Sequence, residues 1–256
     1  MIPLLKTIHL QVAIGPRMLC RDLGFEVLPG QCWGVLGRNG VGKSCLLHTL
    51  AGLSSPASGS VLLAGEPVST LPRKQIAQRV GVLFQQQSDS FPATVMQSAL
   101  TGRHPYLGRW QWESEEDIEL VHEKLALLGL ESMVEREVTT LSGGERQRLA
   151  IATLLVQQPE LLLMDEPTNH LDINYQIRVL DLLSGMCAHG GAAVVMVLHE
   201  VNLAIRYCDH LLLLFPDGEA LHGRRERILD AEILARLYGH PMVALDGPHG
   251  PIYIPG

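Results

Sequence analysis

The 256-residue chain has no apolar run near the ~20 residues that a membrane-spanning helix requires; its longest runs, Ala192 to Leu198 and Leu211 to Phe215, stop far short. Cysteine is sparse. Cys20, Cys32, Cys45, Cys187 and Cys208 are odd in number and form no C-x-x-C pair, which argues against a zinc site or a disulfide framework and leaves reduced thiols as the expectation. Basic residues are in deficit as well: 20 Lys and Arg against 27 Asp and Glu give a net charge of −7. That field opposes the phosphate neutralisation on which non-specific nucleic-acid binding rests, so no nucleic-acid partner is expected. No internal repeat or low-complexity tract is visible, so one chain should be one functional unit. Met1 to Gly15 breaks its apolar stretch with Lys6, His9 and Gln11 and shows no clear cleavage site, which predicts a cytosolic, non-spanning chain.

What is present is a globular balance of 46% hydrophobic and 18% charged residues, long enough for one large domain or a core with a sub-domain. Short strand-like runs recur at Cys32 to Leu36, Val80 to Phe84, Leu161 to Met164, Ala192 to Leu198 and Leu211 to Phe215. Several are continuously apolar, as buried parallel strands are. Helical patterns separate them. From Asp117 to Leu130, Ile118, Val121, Leu125 and Leu128 recur at helical spacing, with Gly129 as a terminator, and a second helix is expected from Ser142 to Gln158, before Pro159. The acid cluster Glu113, Glu115, Glu116 and Asp117 reads as a helix N-terminus rather than a binding feature. Arg224, Arg225 and Arg227 read as a solvated face. The mostly helical stretch 88–158 is expected to be a sub-domain inserted between strand-rich blocks at 1–87 and 159–256.

Chemistry enters with Gly37-Arg38-Asn39-Gly40-Val41-Gly42-Lys43-Ser44, which fits G-x-x-x-x-G-K-[ST], follows a predicted strand and opens a helix bearing Leu46, Leu47 and Leu50. Glycines let backbone N–H groups wrap a triphosphate, and the helix N-terminus adds partial positive charge. Lys43 can reach the β- and γ-phosphates and the Ser44 hydroxyl can ligate Mg²⁺. Leu161-Leu162-Leu163-Met164-Asp165-Glu166-Pro167 delivers two carboxylates at the C-terminal end of a strand, where open α/β sheets place their ligands. Asp165 suits the Mg²⁺ shell and Glu166 the polarising of an attacking water. In Leu141-Ser142-Gly143-Gly144-Glu145-Arg146-Gln147-Arg148, Ser142 and Glu145 form a capping box. Any helix can start this way, but Gly143 and Gly144 also expose N–H groups as a second anion site.

These motifs, in this order, resemble the nucleotide-binding subunit of ATP-binding cassette (ABC) proteins, from about Leu10 to Tyr238. The resemblance implies an α/β fold: a P-loop core with a mainly parallel sheet, an antiparallel β part at the N-terminus and the inserted helical sub-domain. It implies that residues Gly37 to Ser44 and Cys45 hold ATP, and that Gln85 contacts Mg²⁺ and the attacking water while sensing a membrane partner. His199 matches the histidine that meets the γ-phosphate. Asn169-His170-Leu171-Asp172 places Asp172 at a dimer interface, where Ser142, Gly143 and Gly144 of one subunit cover ATP held by the other. The implied assembly is a homodimer at the cytoplasmic face of the inner membrane, driving separate permease subunits and fed by a periplasmic binding protein. Thr101 to Leu107, Leu171 to Gln176 and Leu234 to Tyr238 are similar to the ATPases of iron-chelate, haem and cobalamin importers.

Two positions depart from the family pattern. Ile14 stands where an aromatic ring usually stacks on adenine, and no Phe, Tyr or Trp occurs from Met1 to Asp22, which predicts weak discrimination between ATP and GTP. Phe84 replaces the proline that often precedes the glutamine and should alter the loop that meets the permease. A soluble ABC ATPase acting in DNA repair or translation is the alternative, although such chains typically carry coiled-coil insertions or two cassettes. A small-molecule kinase is a more distant third.

Overall fold

The computed structural model describes residues 2–85, 92–248 and 250–256. The chain opens with β1 (Leu5–Ile14), β2 (Arg17–Leu23) and β3 (Glu26–Val27), then enters the core at β4 (Cys32–Gly37) and α1 (Lys43–Leu50). It continues through β5 (Ser58–Leu63), β6 (Glu66–Pro67), α2 (Arg73–Arg79) and β7 (Val80–Leu83). A helical stretch follows, with α3 (Val95–Leu100), α4 (Glu115–Leu127) and α5 (Gly143–Gln157). The chain then alternates through β8 (Leu161–Asp165), α6 (Ile173–Gly190), β9 (Ala193–Val197), α7 (Val201–Tyr207) and β10 (His210–Leu214). It closes with β11 (Ala220–Arg224), α8 (Arg225–Ile228), α9 (Ala231–Tyr238), β12 (Met242–Leu245) and β13 (Ile252–Pro255). The expected sub-domain boundary at 87/88 lies outside the described residues.

The central sheet runs β11-β10-β4-β9-β8-β7, parallel except for β11, which pairs antiparallel with β10. Strands β8, β9 and β10 are nearly continuous apolar runs buried on both faces, and their period of two shares them between two cores. Leu162 and Met164 of β8, Val194 and Met196 of β9, and Leu211 and Leu213 of β10 pack with α4, α5 and α6. Leu161 and Leu163, Val195 and Val197, and Leu212 and Leu214 pack on the other side with α1 and the N-terminal sheet. That second sheet is antiparallel, ordered β2-β1-β5-β6 with β3 also on β1. It brings the β1–β2 hairpin alongside α1.

Among the helices, α4 starts at Glu115 rather than Asp117 because Ser114 caps it, accepting from Asp117 N at 3.2 Å while Asp117 Oδ2 accepts from Ser114 N at 3.1 Å. Its buried stripe is Val121 and Leu125, continued by Leu128 at the C-terminal cap; Ile118 stays 39% exposed, since polar contacts hold the first turn instead. Asp117 meets Arg103 at 2.6 Å, and the Arg103 guanidinium lies 4.3 Å from the Tyr106 ring centre. The helix ends at Leu127, short of the expected Leu130, because Gly129 turns the chain at φ +67°. Ser142 and Glu145 form the expected box at the start of α5. After α9 the terminal hairpin returns to α7, where Asn202 donates to Tyr253 O at 3.1 Å and accepts from Tyr253 N at 2.9 Å.

Candidate functional site

At the end of β4 the chain turns through Gly40 and Gly42, at φ +72° and +117°, and enters α1 at Lys43. Gly42 is required twice over: its φ is left-handed, and a Cβ there would lie 2.8 Å from Leu19 Cδ1. Leu46, Leu47 and Leu50 anchor α1 in the core. Lys43, only 7% exposed, folds its ammonium back to donate to Gly37 O at 2.9 Å and Arg38 O at 3.2 Å. Burial pulls its pKa below the ordinary lysine value, and the Glu166 and Asp165 carboxylates oppose that shift.

Asp165 closes β8 at 3% exposure. Burial raises its pKa above the ordinary aspartate value, against the pull of a hydrogen bond from Ser44. Its Oδ1 has no hydrogen-bond partner among the described residues. A buried, unpartnered carboxylate oxygen beside a hydroxyl suits a hard divalent cation, which takes oxygen ligands. Glu166 follows at φ +53°, a conformation uncommon for a side chain of its size. That backbone turn brings its carboxylate to His199, with Oε1 2.5 Å from Nε2, and to Asn169, whose Nδ2 donates to Oε2. Gln147 of α5 braces the same turn, donating to Pro167 O at 3.1 Å and Glu166 O at 3.4 Å.

Lys43, Ser44, Glu166 and His199 share one cleft of about 470 Å³, whereas Asp165, Asn169 and Gln147 are not among its lining residues. It is floored by Asn39, Gly40, Gly42, Lys43, Ser44 and Cys45 of the loop and α1, and further lined by Gln85, Glu166 and His199 and by Ile14, Arg17 and Leu19 of the hairpin. Gly37, Arg38 and Asn39 also line an adjoining cleft with His199 and Tyr238. Val41 is turned into the core at 3% exposure. Ser142, Gly143, Gly144 and Asp172 line neither cleft. Ser142 caps α5, and Asp172 caps α6 by accepting from Tyr175 N at 3.0 Å. Within one chain, the glycine-rich loop and the Ser142 segment are therefore separate surfaces. Asn169 and Gln147, which hold Glu166, carried no role in the sequence reading although both lie inside its motifs. Arg17 gave no signal at all.

A strand-to-helix turn that presents backbone N–H groups and a buried lysine, with carboxylates at the end of a parallel strand of the same sheet, one strand removed, defines the P-loop nucleoside triphosphatases. The sequence profile for "ABC transporter" matches residues 20–169. The ferric enterobactin transport ATP-binding protein FepC of Escherichia coli (strain K12) is 36% identical over 243 residues, 94% of this chain and 89% of its own. The chain belongs to the ABC transporter ATP-binding family, and binding and hydrolysis of ATP are its chemistry. A structure described as an inward-facing, metal-chelate type ABC transporter superposes with a TM-score of 0.85 at 28% identity, covering 100% of this chain and 98% of that one. The dimeric bacterial ABC transporter cassette MJ0796 gives 0.76 at 26% identity, over 86% of this chain and 98% of that one.

Proposed function

We propose that this protein is the ATP-hydrolysing subunit of an importer for a metal chelate such as an iron–siderophore, haem or cobalamin, working through a separate membrane permease. The carrying observation is Glu166, held between His199 and Asn169 and facing the cleft that Lys43 and Ser44 floor. The loop N–H groups and Lys43 hold the phosphates of ATP. Ser44, Asp165 and Gln85 would hold Mg²⁺, which would supply positive charge to offset that of the phosphates. Glu166 orients and polarises a water for in-line attack on the γ-phosphate, and His199 meets that phosphate. The core divides as residues 1–87 and 159–256, with 88–158 as the helical sub-domain.

Two chains pair so that Ser142, Gly143 and Gly144 of one cover the nucleotide of the other, with Asp172 at the contact. The dimeric cassette resembling this chain supports that pairing. The pair sits peripherally at the cytoplasmic face of the membrane, and a periplasmic binding protein delivers the cargo. No helix among the described residues is long and apolar enough to cross a bilayer, which agrees with a separate permease. FepC, named for ferric enterobactin transport, supports the cargo class. The test is uptake into liposomes holding the copurified permease. ATP-dependent accumulation of a ferric siderophore, haem or cobalamin, lost with Glu166→Gln, is expected; ATP hydrolysis without accumulation of any chelate overturns the importer reading.

A further inference from the structure

Ile14 and Arg17 are direct partners across the β1–β2 hairpin, and Leu19 shares their face because strand side chains repeat every second residue. All three line the nucleotide cleft. Leu19 fixes the orientation of this face: it is 4% exposed and its Cδ1 lies against Gly42, so it marks the phosphate end. Arg17 is two residues farther out, about 7 Å along the strand. Ile14, 55% exposed, stands beside it at the cleft mouth. A nucleotide with its phosphates on the Gly40–Lys43 floor carries its base toward this mouth. No Phe, Tyr or Trp lines the cleft among the described residues, and no ion pair or hydrogen bond there engages the Arg17 guanidinium.

We propose that Arg17 is the base platform of this site, its planar guanidinium lying flat on the purine beside the Ile14 side chain. The inference rests on the ATP-binding reading and adds a specificity-determining residue to it. The delocalised guanidinium stacks on aromatic faces as an ammonium does not. The geometry favours the face of the base over its edge. Ile14 and Arg17 approach from one side of the hairpin, and an aliphatic neighbour suits the apolar π-face. An edge-on guanidinium would instead pair with N7 and O6 of guanine and collide electrostatically with the adenine amino group. A stacked Arg17 makes the site tolerant of both purines, and it gives a physical cause to the weak ATP–GTP discrimination expected from Ile14.

The test is equilibrium titration of the full chain with a non-hydrolysable ATP analogue, its GTP counterpart and inorganic tripolyphosphate, for wild type, Arg17→Ala and Arg17→Lys. Stacking predicts that both variants weaken the two nucleotides alike, on the order of ten-fold, while Arg17→Lys leaves tripolyphosphate affinity unchanged. Arg17→Lys matching wild type for the nucleotides overturns the proposal in favour of a simple charge contact to phosphate. A loss confined to the GTP analogue overturns it in favour of edge recognition, and no change in any titration removes Arg17 from the site. Failure of the underlying reading looks different: wild type itself would not bind the ATP analogue, or Lys43→Ala would bind it normally.

Discussion

Asp165 holds a carboxylate at 3% exposure with one oxygen unpartnered, so in the protein alone its charge is opposed by burial. Asparagine keeps a polar atom in this place and removes only the charge that burial disfavours. Asp165→Asn should therefore raise the melting temperature of the nucleotide-free protein by a few degrees, and scanning calorimetry reads this directly. The same variant should lose the extra stabilisation that Mg²⁺ adds in the presence of ATP. A lower melting temperature would mean that the carboxylate is satisfied by a group other than the metal. Lys43 makes a contrasting case. Its ammonium rests on the Gly37 and Arg38 carbonyls, and Lys43→Ala should abolish measurable nucleotide binding in a fluorescence titration while leaving the fold intact. Glu166→Gln keeps the phosphate contacts, so hydrolysis should fall by roughly 10²- to 10⁴-fold, as loss of a general base does, with affinity retained.

At the scale of the element, α4 carries two separable contributions in its first turn. Ser114→Ala removes one half of the capping box and should destabilise the protein by about 1 kcal/mol in urea denaturation. Asp117→Ala removes the reciprocal cap and also strips Arg103 of a partner at 2.6 Å where both side chains are mostly buried, so it should cost clearly more. Equal losses would show that the Arg103 pair contributes nothing. The elements themselves were largely legible. Strands β4, β8, β9 and β10 announced themselves because burial on both faces demands unbroken apolar runs, and α5 because Ser142, Glu145 and Pro159 mark its ends. Less legible were features with no residue-type signature. Glu166 and His170 turn at φ +53° and +62° without glycine, so no sequence pattern flagged the bend that brings Glu166 to His199. The position of Arg17 depends on a hairpin whose register shifts between Leu10 and Ala13, and periodicity alone does not reveal such a shift.

At the scale of the whole molecule, the cleft and the Ser142 segment lie apart on the same chain, as the two halves of the proposed shared site. If the halves meet across a two-fold axis, Lys43→Ala spoils the site on a chain's own loop and Ser142→Arg spoils the opposite one. A dimer of either variant alone should trap no nucleotide. The mixed dimer concentrates both defects in one site and leaves the other whole, so it should occlude one ATP where the wild-type dimer occludes two. Nucleotide retained per purified mixed dimer is the measurement; none retained in a verified mixed dimer would rule the shared site out.

The first turn of α5 is wedged against the turn that carries Glu166: a Cβ on Gly144 would stand 2.9 Å from His170 O, and Gln147 holds the Glu166 and Pro167 carbonyls. In a shared-site dimer those two turns serve different nucleotides, Glu166 its own chain's and Ser142 the partner's. In such a dimer, a rearrangement that one γ-phosphate imposed on the Glu166 turn would reach the surface closing over the other ATP. Linkage requires the reverse influence to be equally strong. Such a pair would work as an escapement, each half releasing the other, with its gearing inside each subunit as well as at the seam between them.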